Sequence, residues 1–400
     1  MSRGALVARR IWIDAERSIP RAELVWNDAG RIVALRRLTA KAARGRLREV
    51  ALFPSLVDAH CHLQLPPLGD DAPRQFLPWV RAVMTARAAL RPAALVAGTK
   101  ARTKALLREG VATFGEIDAT GDSPKALEGL GATGRVYQEL TGFHLEPREA
   151  RRRMAERRVA PPVGWGGGWS PHAPYSVSPS LFAAAARSRR PLAIHCAELP
   201  EEQEFLRRGT GPFRDLLQSL GRLPHGFRPP GVGAVAHLER LGVLRPGVHL
   251  VHCQELERGD LARLVRHRTP VVVCPGTMAW FGRTPPPVHR WLAAGLQVGI
   301  GTDSAASNAG WSLRAELAQL GAWLPQLEDR QLLAIATRHG AAALHLPHSG
   351  RLCRGGRADF VAMAAAAEEE HAPLRALVRN TENPVEVCLG GRRIAGVGRP

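Results

Sequence analysis

Eight apolar runs of strand length recur along this chain, and their number and spacing limit the folds it can adopt. They are Leu52 to Ala59, Val111 to Ile117, Gly134 to Leu140, Val163 to Ser170, Pro191 to Ala197, Gly247 to Cys253, Pro270 to Cys274 and Leu296 to Gly301. Helix-like segments fall between most of them: Ala94 to Arg108, Pro179 to Arg189, Asp260 to His267 and Pro287 to Ala294. Strands alternating with helices predict an α/β fold, a parallel sheet with crossover helices. Eight is also the count that closes a (β/α)8 TIM-type barrel, whose chemistry gathers at the C-terminal ends of its strands.

The flanks read differently. Ala5 to Ile13, Ala22 to Trp26 and Ile32 to Leu35 are short strands separated by turn residues, and Asp359 to Ala364 and Val385 to Val397 repeat the style at the other end. Gly390-Gly391 predicts a hairpin turn in the last of these. The expected organisation is residues 1–50 and 346–400 pairing into one small β domain around a barrel of residues 51–345. Ala364 to Glu370 is compositionally biased and is expected to be an exposed loop or helix.

The chain has 400 residues, 45% of them hydrophobic, enough for a large core. No apolar stretch is long enough to span a bilayer, and the N-terminus lacks the apolar core of a secretion signal, so a soluble cytoplasmic protein is expected. The formal charge of +19 invites a nucleic-acid reading. The arginines, however, are scattered, and the densest group, Arg148 to Arg158, reads as the exposed side of a helix without interleaved aromatic residues. Six cysteines occur without a C-x-x-C pair. Cys61, Cys196, Cys253 and Cys274 sit in or beside apolar runs, as small buried hydrophobes do. The expected partners are a small-molecule substrate and a second copy of the chain, not nucleic acid or membrane.

The ends of four apolar runs carry the chemistry: Asp58-Ala59-His60-Cys61-His62, His195-Cys196-Ala197-Glu198, His252-Cys253 and Gly301-Thr302-Asp303-Ser304. Residues two apart on a strand share a side, so His60 and His62 can reach one ion together. His195 and Asp303 can complete the set, and Glu198 and His252 remain for proton transfer. An ion held in this way makes water a nucleophile near neutral pH. Imidazole and carboxylate donors suit zinc, the expected ion, but also iron or nickel. Nucleobase deaminases of the Pro-Cys-x-x-Cys type are excluded, because His144-Leu145-Glu146 and His237-Leu238-Glu239 are followed by no such cysteine pair. Phosphate-loop and Gly-x-Ser-x-Gly motifs are also absent.

These segments resemble the amidohydrolase superfamily, in the branch of adenosine-type, S-adenosylhomocysteine, guanine and chlorotriazine deaminases and hydrolases. The resemblance runs from Phe53-Pro54-Ser55-Leu56-Val57-Asp58-Ala59-His60-Cys61-His62 to Gly355-Gly356-Arg357-Ala358-Asp359-Phe360, through Ser170-Pro171-His172-Ala173-Pro174 and Gly299-Ile300-Gly301-Thr302-Asp303-Ser304. It implies a distorted eight-stranded barrel with a small β-sandwich built from both termini. It also implies that His60, His62, His195 and Asp303 hold one metal, that Glu198 and His252 shuttle protons, and that His172 contacts substrate. No lysine follows Lys125, so the carboxylated lysine of two-metal relatives is missing and one ion is implied.

Phe76-Leu77-Pro78-Trp79, Glu198-Leu199-Pro200-Glu201-Glu202 and Thr302-Asp303-Ser304-Ala305-Ala306-Ser307-Asn308 further resemble a bacterial subgroup linked to aminodeoxyfutalosine deamination in an alternative menaquinone pathway. One departure stands out. Where that subgroup usually has Cys-Pro-Arg-Ser-Asn, this chain reads Cys274-Pro275-Gly276-Thr277-Met278, which predicts lost polar contacts beside the pocket. The expected activity is hydrolytic deamination of a nucleoside-like aminopurine, with Trp79, Glu139, Phe281 and Ser304 joining His172 as candidate substrate contacts and Asp303 sharing in catalysis. Hydrolysis of another heterocycle, such as a chlorinated ring, and a non-catalytic binding protein are the alternatives.

Overall fold

The computed structural model describes residues 4–69, 71–308, 310–366 and 371–395. The chain opens with β1 (Gly4–Trp12), β2 (Ser18–Trp26), β3 (Ile32–Arg37) and β4 (Leu47–Pro54). Eight barrel strands follow: β5 (Leu56–Cys61), β6 (Val111–Asp118), β7 (Thr133–Leu140), β8 (Gly166–Pro171), β9 (Leu192–Cys196), β10 (Val248–His252), β11 (Val271–Val273) and β12 (Val298–Ile300). Then β13 (Phe360–Ala364), β14 (Glu386–Leu389) and β15 (Arg392–Arg393) return to the first sheet. That terminal sheet is mixed and seven-stranded, in the order β15-β14-β13-β4-β1-β2-β3.

All eight expected barrel strands are present, each parallel to the next in sequence. The run Leu52 to Ala59 is two strands, not one. β4 ends at Pro54 in the terminal sheet and β5 starts at Leu56 in the barrel, with the Ser55 N–H bonded to the Asp359 carbonyl at 3.1 Å. Residues 50–61 are all buried, so no exposed residue marks the crossing. The run from Val163 begins late: Val163 is 91% exposed in a turn, and β8 starts at Gly166. At the C-terminus β14 and β15 form the hairpin that Gly390-Gly391 predicts, both glycines having positive φ. A Cβ on Gly391 would lie 2.4 Å from the Trp26 ring, so the turn also needs a glycine for space. Residues 367–370 and 396–400, which include parts of two expected segments, lie outside the described residues.

The barrel interior is filled by Val57, Ala59, Ile117, Tyr137, Ala193 and Val272, and Ala341 and Leu344 pack against them. It is therefore a packed core rather than a channel. The four expected helices are found at Pro92–Arg108, Pro179–Arg187, Asp260–His267 and Val288–Ala293. Helices Phe76–Ala89 and Pro212–Ser219, which the apolar periodicity did not single out, rise above the strand ends. Among the described residues no helix is long and apolar enough to cross a membrane.

Candidate metal and catalytic site

The site forms where the barrel closes. β12 meets β5 through Asp303, whose N–H bonds the His60 carbonyl at 3.0 Å and whose carbonyl accepts the His62 N–H at 2.6 Å. The approach is so close that a Cβ on Gly301 would sit 2.4 Å from the His60 carbonyl oxygen. Behind this seam Asp58 accepts from the Thr302 N–H at 3.1 Å and the Thr302 hydroxyl at 2.6 Å. The backbone contact that closes the barrel thus sets ligand-type side chains from its first and last strands side by side.

One donor atom from each of His60, His62 and His195 lies within 4.8 Å of the others, an arrangement suited to one metal ion. His62 Nε2 and His195 Nε2 are 3.3 Å apart, and Asp303 Oδ1 is 3.5 Å from His60 Nε2 and 3.6 Å from His62 Nε2. Both ring nitrogens of the fully buried His60 lack a hydrogen-bond partner among the described residues. Buried polar atoms are seldom left so, and an ion would satisfy the one that faces the cluster. His195 Nδ1 lies 3.0 Å from the His172 carbonyl, which fixes the tautomer and leaves Nε2 free as a ligand. Asp303 Oδ2 accepts from the Thr277 hydroxyl at 2.7 Å, and Thr277 is linked to the Ser307 hydroxyl at 3.0 Å. Oδ1 is thereby turned toward the histidines.

Burial pushes the His62 imidazole down to about 4 and holds His195 well below its usual range, so both are neutral and able to donate a lone pair. Asp303 is also buried, yet its bond and proximity to the histidines hold its carboxyl well below the ordinary carboxylate range. Glu198 is the opposite case. Burial, with Asp303's charge adding and Arg283's opposing, pushes its carboxyl up to about 8. Its Oε1 is 3.8 Å from His252 Nε2, and burial lowers His252 to about 3. A carboxyl that carries a proton near neutral pH beside a neutral imidazole is suited to acid and base work.

Ala197, His252, Cys253 and Asp303 all adopt positive φ, between 50° and 71°. Such backbone costs about 1–3 kcal/mol at each non-glycine position and persists only where the surroundings enforce it. Here it turns the chain sharply off the strand ends. Cys61, Cys196 and Cys253 are buried and are not among the residues lining the cavity, as strand alternation predicts.

Above the histidines opens a cavity of about 560 Å³. His172, Trp79, Glu139 and Ser304 line it together with His62, His195, Glu198, His252 and Asp303. Phe281 stands one layer back, edge-on to Trp79 at 5.4 Å between ring centroids. One expectation needs correction. The Arg148 to Arg158 cluster is not simply an exposed face: Arg153 and Arg157 turn into the cavity wall, bonding the carbonyls of Thr141 and Ala119. None of the three residues of the Gly276 to Met278 departure lines the cavity. A Cβ on Gly276 would lie 2.3 Å from Glu316 Oε1, its N–H bonds Glu316 Oε2 at 2.6 Å, and Met278 is in the core. Thr277 is the residue sequence reasoning missed. A hydroxyl beside Cys274-Pro275 was its only signal.

The model of the amidohydrolase family matches residues 51–394. An aminodeoxyfutalosine deaminase of Deinococcus radiodurans is 32% identical over 343 residues, covering 78% of this chain and 77% of that protein. A 5-methylthioadenosine/S-adenosylhomocysteine deaminase of Syntrophobacter fumaroxidans is 29% identical over 384 residues, covering 87% and 81%. Among solved structures, Helicobacter pylori aminofutalosine deaminase superposes with a TM-score of 0.81 at 22% identity, covering 98% of this chain and all of that one, and so shares the fold. With the barrel, the histidine cluster and a match over most of its length, the chain belongs to the amidohydrolase family and is a hydrolase of carbon–nitrogen bonds other than peptides.

Proposed function

We propose that this protein is a metal-dependent deaminase of an adenosine-type nucleoside, with aminodeoxyfutalosine, on the route to menaquinone, as the first substrate to test. The observation that carries the reading is the cluster of His60, His62, His195 and Asp303, with His62, His195, Asp303 and Glu198 lining a single cavity and His60 buried just behind them. The names of the sequence relatives support the substrate class. A divalent ion, zinc by the chemistry of three imidazoles and a carboxylate, would be held by His60, His62, His195 and Asp303 and supply the Lewis acidity that makes water nucleophilic.

Glu198, in its ionised form, takes one proton of the attacking water and delivers it to the ring nitrogen beside the amino-bearing carbon. His252, 3.8 Å from Glu198, holds the nucleophile's other side, and Asp303, fixed by Thr277, orients it. Oxygen adds to the ring carbon, the carbon–nitrogen bond breaks as the amino group gains the second proton of that water, and ammonia leaves with a ring carbonyl in its place. His172, anchored by a 2.8 Å contact with Ser176, and Glu139 position the nucleoside.

The test is ammonia release by zinc-loaded protein from aminodeoxyfutalosine, adenosine, S-adenosylhomocysteine, methylthioadenosine, guanine and aminotriazines. The expected result is a kcat/KM of ~10⁴ M⁻¹s⁻¹ or more for one adenosine-type nucleoside. No release from any nucleoside, with the metal bound, would overturn the reading.

A further inference from the structure

A second cavity, of about 510 Å³, opens at the other end of the barrel from the histidines. Gln297, which immediately precedes β12, stands on its wall. The remaining wall comes from the π-helical turn Ile335–His339, the short helix Gly340–Ala343 and the chain that leads from it toward the terminal sheet. The two cavities share no lining residue, and the packed barrel core separates them. The volume is that of a small-molecule site, for which about 300–1,000 Å³ is usual.

Four basic-type side chains meet in it. Arg338 and His339 come from the π-helical turn, His345 from the turn after the short helix, and Arg351 from the chain beyond. A nitrogen of each is buried without a hydrogen-bond partner among the described residues: Nε of both arginines, Nδ1 of His339 and Nε2 of His345. Buried polar atoms are seldom left so, and four around one cavity mark a place where a ligand completes the bonding. No carboxylate lines the cavity. Arg338 reaches out to Glu16 at 2.7 Å, an exposed carboxylate in a pair of little strength, and Arg351 has no partner among the described residues. Burial, with the charges of Arg135 and Arg245 adding, lowers His345, and burial pushes His339 down to about 4. Both rings are thus neutral at neutral pH, and the fixed positive charge of the cavity is that of its arginines.

We infer that this cavity is a second ligand site, one that binds the phosphoryl group of a small organic phosphate ester, with Arg338 and Arg351 as its charged donors. A guanidinium fork matches two phosphate oxygens at once. A tetrahedral oxyanion also presents acceptors in several directions, toward two arginines and two rings together, which the two oxygens of a flat carboxylate do not. A bare ion leaves most of the volume unfilled, since a water takes up only about 30 Å³ in the liquid. Ala342, Leu346 and Pro347 line the remainder and suit the carbon part of an ester. The site stands apart from the reaction, so its test needs no turnover.

Titration calorimetry on the zinc-loaded protein compares ribose 5-phosphate, inorganic phosphate, ribose and succinate. Saturable binding of both phosphates, one per chain, is expected, with none of ribose. Ribose 5-phosphate should bind at least about threefold more tightly than the free ion. Equal values would keep the phosphoryl site but overturn the ester. Arg351→Gln and Arg338→Gln are each expected to weaken ribose 5-phosphate about tenfold or more, and Arg351→Lys, which keeps the charge without the fork, to lose less. Arg81→Gln removes the same charge on helix Phe76–Ala89, at the catalytic end, and should change the Kd by no more than about twofold. Zinc content and the unfolding midpoint, measured on each variant, separate a lost site from a lost fold. No saturable binding, an Arg81→Gln loss equal to that of Arg351→Gln, or succinate binding as tightly as ribose 5-phosphate would overturn the proposal.

Discussion

The two ends of the cavity are built on opposite plans. At the base, ligand-type side chains sit on strand termini, fully or nearly buried, with strained backbone and hydrogen bonds that fix the His195 tautomer and the Asp303 carboxylate. At the rim, an exposed helix without a single buried residue faces another across open apolar walls. The base holds one geometry because chemistry tolerates displacements of only tenths of an ångström. The rim needs only to be apolar and of suitable width. A barrel of this kind can accordingly keep its reaction while its loops and flanking helices change what it acts on.

If the division is real, damage should be steepest at the base. Glu198→Gln is expected to retain stoichiometric metal by elemental analysis while kcat falls about 10²- to 10⁴-fold. Full activity in that variant would remove Glu198 from proton transfer. Gly301→Ala forces a methyl against the His60 carbonyl, and should cost about 1–3 kcal/mol in denaturant unfolding and weaken metal retention as well. An unchanged midpoint would show that the β5–β12 seam can yield.

Thr277→Val removes the hydroxyl that orients Asp303, and metal affinity is expected to drop about 10- to 100-fold. Thr277→Ser keeps the donor and should restore most of it. If Val and Ser behave alike, packing rather than the hydrogen bond is what matters at 277. The smallest effect belongs to the rim: Met84→Ser should change unfolding free energy by no more than about 0.5 kcal/mol, since the side chain is already half exposed. A larger loss would mean that the rim helices are packed in solution in a way that contradicts the open cleft.

Local chemistry decided much of this protein. Each barrel strand announces itself as an apolar run, and the histidine pair of β5 follows from two-residue alternation, because both properties are written in neighbouring residues. The strand boundary at Ser55 was hidden because both flanking strands are buried on all sides. The helix at Phe76–Ala89 was hidden because apolar residues are spread around it rather than gathered on one stripe.

Other features exist only once distant segments meet. Asp58 and Thr302, 244 positions apart, lock the seam that closes the barrel, and Trp79 reaches the Ala306 carbonyl across 227. Thr277 aims Asp303 from a neighbouring strand end, and Arg87 and Arg222 reach one cavity from segments 135 positions apart. The sequence by itself determined which side chains the strands would carry to the barrel's rim. The tertiary structure decided which oxygen of Asp303 faces the histidines and where apolar surface stays open, because hydrogen-bond partners and burial are properties of packing, not of order along the chain.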